Sequence, residues 1–398
     1  MRFTALLSVV LLYPSTLFAH EMVDPASVGL SVEKLAPLEQ SIKADIAADK
    51  LNGATLSIMR DGKLAYHKAF GTRGKGASEG PMKTDDIFRI YSMSKPITSV
   101  GIMKLAEAGK LNVKDPVNKY IPEFKDSTVL VDGKRVPQNN QMTIEDLLRH
   151  TSGVVYGFFG DTPTRTEYKK VNLYDPMQSN KDMAVKLAGL PLEHQPGTKW
   201  EYSHSTDILG HVIEVASGQN LGEYLKAEIL DPLGMDDTSF YAPADKKDRV
   251  VEPEYPGLLN PMMEPKYQSA GGGMLSTSDD YLTFTSMMLN KGTYNGVQIL
   301  KPETVEMMTS NQLGDIVPGN YNLLGKGYGF GYGYAVRTAD EASIAGTKGD
   351  YWWGGYAGTY FWIDPVKDMS VVFMMQAPKL RAPYRPIIRS AVYGALEN

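Results

Sequence analysis

Hydrophobic and polar positions divide this chain into two ends that alternate with the short period of strands and a middle whose stripes have helical length. Near the amino terminus, residues 54–59 and 64–70 are β-prone runs separated by Arg60-Asp61-Gly62-Lys63. Asp-Gly suits a two-residue turn, so the two runs predict a hairpin. Near the carboxyl terminus, residues 360–363 and 369–375 flank Asp364-Pro365 and predict a second strand pair, followed by a closing helix over 386–396. Ahead of the first hairpin, Leu35, Leu38, Ile42 and Ile46 form a helical stripe, with Ser31 as its candidate N-cap and Pro37 delaying the regular part.

From about Ser92 to Met287 the signals become helix caps and apolar stripes between Pro- and Gly-rich loops. Thr143-Ile144-Glu145-Asp146 has the form of a capping box, Gly218 stops a helix that begins near His204, and Ser276 with Asp279 opens another. The expected fold is α+β: an antiparallel sheet made from both chain ends, flanked by N- and C-terminal helices and enclosing an inserted, mostly helical domain. The boundaries expected are 20–90 with 271–398 for the sheet domain and 91–270 for the helical domain. Residues 154–200 have weak periodicity and carry Tyr156, Phe158, Phe159, Tyr168 and Tyr174. They predict either an aromatic wall over a pocket or a surface excursion that packs its own rings.

Composition narrows the function classes. The 398 residues suffice for an ample core, and a net charge of -5 offers no basic face for nucleic acid, so a small molecule is the expected partner. Residues 1–19 combine Arg2, an apolar run from Ala5 to Leu12 and small residues ending at Ala19. This reads as an export leader cleaved near Ala19, placing the mature protein in the periplasm or outside the cell. No later run approaches the roughly 20 apolar residues of a spanning helix, so no membrane insertion is expected. Cysteine is absent, which removes disulfides, thiolate metal sites and a cysteine nucleophile together. Oligomeric state is not legible.

The strongest local signal is Ser92-Met93-Ser94-Lys95, where 87–91 gives way to a stripe of Ile97, Val100, Lys104, Leu105 and Ala108 ended by Gly109. A serine at a helix start meets free backbone N–H groups and the positive dipole end, and a lysine three residues later lies on the same face. Pro96 is tolerated in the first turn. Alone, this common spacing reads as plain N-capping, and only its company turns it toward chemistry. Trp200-Glu201-Tyr202-Ser203-His204 adds a tyrosine just before a helix start, in position to aim a phenol into a cleft. Trp352-Trp353-Gly354-Gly355-Tyr356-Ala357-Gly358 adds the glycines of a strand that a ligand backbone approaches closely.

These three pieces, in this order and spacing, resemble the class C β-lactamase and penicillin-binding-protein-like serine hydrolases over most of the chain. Leu147-Leu148-Arg149-His150-Thr151-Ser152-Gly153, the triple glycine within 269–276 and the stretch 327–333 are also similar to that family. Tyr-Ser-His and Trp-Gly-Gly resemble its family VIII carboxylesterase branch. The resemblance implies Ser92 as nucleophile, Lys95 and Tyr202 as proton carriers, and an oxyanion hole from the backbone N–H groups of Ser92 and Tyr356. The expected substrate pocket holds Tyr156, Phe158, His204, Trp353, Gly354 and Gly355. No cofactor and no metal are expected. Which of Lys95 and Tyr202 takes the serine proton is left open. Where β-lactamases and peptidases of the family carry Lys-Thr-Gly on the strand, this chain has Trp353-Gly354-Gly355 and lacks that cation; where they carry Tyr-x-Asn, it has Tyr202-Ser203-His204. The substrate expected from those departures is an ester without a carboxylate anchor. The rivals are a β-lactamase or D-alanyl-D-alanine carboxypeptidase, and a sensor that acylates without turning over.

Free lysine, with a pKa of ~10.4, is almost wholly protonated near neutrality, so a lysine base requires burial in the cleft. Gly76-Ala77-Ser78-Glu79-Gly80 matches the Gly-x-Ser-x-Gly pattern but sits in a polar stretch without the strand and helix that the motif needs. His204 and His211 share a helix face, but no third histidine stands at metal spacing. His150 is expected to make a structural hydrogen bond beneath the cleft.

Overall fold

The computed structural model describes residues 20–74, 80–319 and 323–397. The leader expected at 1–19 lies outside the described residues, as do Lys75 and positions 76–79 of the Gly76–Gly80 stretch. The first hairpin forms as β1 (Gly53–Arg60) and β2 (Lys63–Gly71), turning through Asp61 and Gly62 at φ 52° and 70°. Two successive positive φ angles are what Asp-Gly tolerates and most pairs do not.

The other end of the chain supplies β3 (Tyr328–Phe330), β4 (Ala335–Arg337), β5 (Tyr351–Gly354), β6 (Tyr360–Asp364) and β7 (Met369–Met375). The seven strands run in the order β3-β4-β5-β6-β7-β1-β2, each antiparallel to its neighbours. The seam between chain ends is β1 against β7, in register from Ala54 opposite Met375 to Arg60 opposite Met369.

Both faces of this seam are covered. Thr55 reaches Ser278 at 2.6 Å and Ser370 reaches Thr285 at 3.2 Å, so one face meets the Ser278–Leu289 helix. On the other face Phe373 stacks on Tyr384 of the Arg381–Ala395 helix, which is tied to the Ala36–Ala47 helix by Tyr384 donating to Asp45 at 2.9 Å. A strand covered on both sides is apolar at nearly every position, and β7 is buried throughout, its one polar residue, Ser370, being hydrogen-bonded to Thr285.

Several helix boundaries differ from the pattern. Ser31 caps nothing; its amide donates to the Ala395 carbonyl at 2.9 Å, and the amino-terminal helix is entered through a 3-10 turn at Glu33–Leu35. The closing helix begins at Arg381 and carries Pro386 in its interior, because Tyr384, Ile388, Arg389 and Val392 bury one face against the sheet and override the proline penalty. The cap expected at Ser276 falls one residue later, where the Thr277 hydroxyl accepts from the Asp280 amide at 3.1 Å while Ser276 pairs with Phe88 in a short ladder. Thr143 and Asp146 form their reciprocal capping box, and Gly218 ends the Ser205–Ser217 helix at φ 75°.

Candidate active site

Ser92 lies in a 3-10 turn, Tyr91–Met93, directly ahead of the Ser94–Glu107 helix. That helix is buried on nearly all sides, as an apolar helix without a strong polar face must be. Gly101 permits its close crossing of neighbours: a Cβ there would stand 2.8 Å from Leu225 and 3.3 Å from Ile213. Tyr91 adopts φ 44°, a left-handed conformation costing on the order of 1–3 kcal/mol for a bulky residue. Neighbouring contacts hold it there. Ser94 Oγ donates to the Tyr91 carbonyl at 2.7 Å and accepts from the Met274 amide at 3.1 Å, while the Leu259 amide donates to the Tyr91 hydroxyl at 2.9 Å.

Lys95 returns to the serine one turn on, with Nζ 3.3 Å from Ser92 Oγ. The same nitrogen donates to the Gly271 carbonyl at 2.6 Å and to the Tyr156 hydroxyl at 3.1 Å, and the side chain is wholly buried. Tyr202 stands just before the Ser205–Ser217 helix and donates its hydroxyl to Ser92 Oγ at 2.7 Å. Its ring centroid is 4.7 Å from Lys95 Nζ. One serine oxygen therefore receives a phenol and an amine, an arrangement able to take a proton from the serine and pass it to a leaving group.

His150 lies beneath, its ring 5.0 Å from that of Tyr202 and Nδ1 3.1 Å from Ser203 Oγ. Burial, reinforced by the Lys95 charge, holds its imidazole well below the ordinary histidine range, so it is neutral.

Ser92 and Tyr356 both line one cleft of about 70 Å³. Among the described residues the Tyr356 amide makes no backbone hydrogen bond. The end of β5 is fixed to the serine turn through Thr359, whose carbonyl accepts from the Gly355 amide at 2.7 Å and whose hydroxyl donates to the Ile90 carbonyl at 3.2 Å.

Three expectations about the pocket change. The glycines of β5 and its extension do not leave room for a ligand: a Cβ on Gly354 would stand 2.5 Å from Arg385, and one on Gly355 would fall on the Thr359 hydroxyl and the Ile90 carbonyl. The protein's own groups fill that space. Trp353, Gly354 and Gly355 do line the cleft, but Tyr156, Phe158 and His204 do not. Tyr156 is packed over Lys95, Phe158 is half exposed and stacked on Tyr156, and His204 is buried between Asp207 and Tyr174; Phe159 takes the lining position instead. Finally, the cation missing from the strand is matched by two that sequence reading missed: Arg381 and Arg385, one turn apart on the closing helix, line the cleft. Their signal was hidden because Pro386 had marked the helix start.

His211 pairs with Glu214 at 2.9 Å and His204 with Asp207 at 2.9 Å. Among the described residues no cluster of three or more His, Cys, Asp or Glu could hold a metal ion, and no helix is long and apolar enough to cross a membrane.

A serine approached by both lysine and tyrosine, just ahead of a buried helix in a chain with a seven-stranded antiparallel sheet, defines a serine hydrolase of the β-lactamase fold. Residues 38–392 match the Beta-lactamase family, and the chain belongs to it. Among curated relatives it is similar to Esterase EstB of Burkholderia gladioli, at 28% identity over 409 residues, covering 94% of this chain and 98% of that one. Among solved structures it is similar to EstCE1, a hydrolase with promiscuous acyltransferase activity, at 26% identity and TM-score 0.76, over 91% of this chain and 99% of that one. It is also similar to the octameric penicillin-binding protein homologue from Pyrococcus abyssi, at 26% identity and TM-score 0.65, over 88% of this chain and 76% of that one.

Proposed function

We propose that this protein is a serine carboxylesterase that hydrolyses short-chain or aromatic esters through an acyl-enzyme on Ser92. The observation that carries the reading is the double approach to Ser92 Oγ, from Tyr202 at 2.7 Å and Lys95 at 3.3 Å, with the lysine buried. In the forward step the Lys95–Tyr202 pair takes the serine proton as Oγ bonds to the ester carbonyl carbon. The carbonyl oxygen becomes an oxyanion facing the Ser92 and Tyr356 amides, a contribution worth about 100- to 1000-fold per donor in comparable sites. Collapse breaks the bond to the alcohol oxygen, which leaves with the proton from the pair. Water then adds to the acyl carbon by the same route, and the acid departs as Ser92 regains its proton. The small cleft supports a short acyl group, with bulkier parts of the substrate outside. Likeness to EstB supports ester substrates.

A second reading, a D-alanyl-D-alanine carboxypeptidase, draws support from Arg381 and Arg385, because a peptide ending in a carboxylate requires a cation at the cleft. The test is turnover of p-nitrophenyl butyrate, nitrocefin and a D-Ala-D-Ala peptide by wild type and by Ser92→Ala. Ester hydrolysis far above the other two, lost in Ser92→Ala, is the expected result. Peptide or nitrocefin turnover exceeding ester turnover would overturn the esterase reading, and a stoichiometric burst without turnover would point to a sensor.

A further inference from the structure

One buried charge stands behind the proton-carrying pair without entering the chemistry just described. Asp207 lies in the first turn of the Ser205–Ser217 helix and is buried. Its Oδ1 accepts from the Ser269 hydroxyl at 2.7 Å and from the Gly271 amide at 3.1 Å; its Oδ2 accepts from His204 Nδ1 at 2.9 Å. Gly271 is thereby held at both ends, its amide on Asp207 and its carbonyl on Lys95 Nζ at 2.6 Å. The fit is tight: a Cβ on Gly271 would stand 3.0 Å from Asp207 Oδ2 and 3.2 Å from its Cγ, so the carboxylate would have to give by a few tenths of an ångström. A second route runs through His204, whose ring packs 4.2 Å from that of Tyr156, the residue whose hydroxyl accepts from Lys95 at 3.1 Å.

Resting on the esterase reading above, we infer that Asp207 is a positioning residue of the reaction. It anchors the Gly271 carbonyl against Lys95 and supplies the fixed negative charge that governs when the Lys95–Tyr202 pair releases its proton. A buried carboxylate left without donors would be costly, and this one has three. Burial alone would raise its pKa, but the His204 hydrogen bond, the Lys95 charge and the Ser269 hydroxyl hold it well below the usual carboxylate range. It is therefore an anion near neutrality. The other titratable groups facing this region are Tyr156, Tyr174 and Tyr267, whose phenols burial pushes up, and His150, which is neutral. None of these carries negative charge near neutrality, so Asp207 is the group whose removal changes the field at the pair.

The test is Asp207→Asn, which keeps an oxygen for Ser269 and Gly271 and removes the charge. With p-nitrophenyl butyrate, the acid limb of the kcat profile is expected to move about one pH unit lower, as loss of a nearby opposite charge requires. The plateau kcat falls about tenfold because the base is weaker. KM changes little, since Asp207 does not line the cleft. A merely structural role would reduce the folded fraction and leave the limb where it was. A superimposable profile after correction for folded protein would overturn the inference. Should Asp207→Asn fail to fold, Gly271→Ala serves in its place: the added methyl pushes Gly271 off the carboxylate and lowers kcat about tenfold at constant KM, whereas wild-type kcat there would also overturn it. Ser92→Ala in the same assay separates the two levels. Wild-type hydrolysis that survives Ser92→Ala defeats the esterase reading; Ser92-dependent hydrolysis with an unmoved Asp207→Asn profile defeats only this inference.

Discussion

Replacing Tyr202 by phenylalanine removes one oxygen from the site and little else. The ring keeps its neighbours, with centroids of Tyr156 and Trp353 each 5.2 Å away and His150 at 5.0 Å. Ser92 Oγ loses the 2.7 Å hydrogen bond from the phenol and retains the 3.3 Å approach of Lys95. The stability cost is that of one hydrogen bond, about 1 kcal/mol. The catalytic cost is that of a positioned proton carrier, about 100- to 10,000-fold in kcat, or roughly 2.7 to 5.4 kcal/mol of barrier. Activity should therefore fall far more than stability. The assay is kcat for p-nitrophenyl butyrate and for ethyl butyrate, alongside thermal unfolding of both proteins. Because an ethoxide needs a proton to leave and p-nitrophenolate scarcely does, the defect should be larger with the ethyl ester. A folded Tyr202→Phe protein with kcat within a few-fold of wild type on both esters would refute the reasoning.

Lys95→Ala should abolish ester turnover while far-ultraviolet circular dichroism stays native; turnover within tenfold of wild type would contradict a role for the amine. Gly355→Ala sets a methyl on the Thr359 hydroxyl and the Ile90 carbonyl, so it must move the Tyr356 amide away from Ser92. A kcat loss of about 100-fold is expected, as for one oxyanion donor, and kcat unchanged in a folded variant would count against the amide. Asp280 titrates differently in the two states: burial pushes its carboxyl up to about 7, opposed by its hydrogen bond from Thr238, against an unfolded value of ~3.9. The folded state thus holds a proton that the unfolded chain has lost, and this contribution to stability is present below about pH 4 and lost as pH rises through about 7. The wild-type minus Asp280→Asn difference in Tm should fall across that window; a flat difference would contradict the assignment.

The parts of the fold that could be read from sequence are those fixed by local chemistry. Asp61-Gly62 set a hairpin because few pairs accept two positive φ angles, and Thr143 with Asp146 set a helix start because the cap is reciprocal within four residues. Ser92 and Lys95 were legible for the same reason, since a three-residue spacing on a helix determines which side chains meet. Tyr202 became legible only through the family resemblance. What was hidden depends on tertiary contact. Arg381 and Arg385 reach the cleft because burial of Tyr384 and Ile388 forces a helix through Pro386, a preference no local rule predicts. Gly354 and Gly355 looked like space for a ligand, and only the packed chain shows Arg385, Thr359 and Ile90 occupying it. The role of Asp207 has no local signal, because its partners Ser269 and Gly271 are more than sixty residues away.

Covalent capture of the acyl group tests the account most directly. The protein is quenched in acid during turnover of p-nitrophenyl butyrate, digested and mapped by mass spectrometry. A butyryl group on Ser92, absent from Ser92→Ala and scarce in Lys95→Ala, is the result expected. A butyryl group on another residue, or ester hydrolysis that continues in Ser92→Ala, would contradict it.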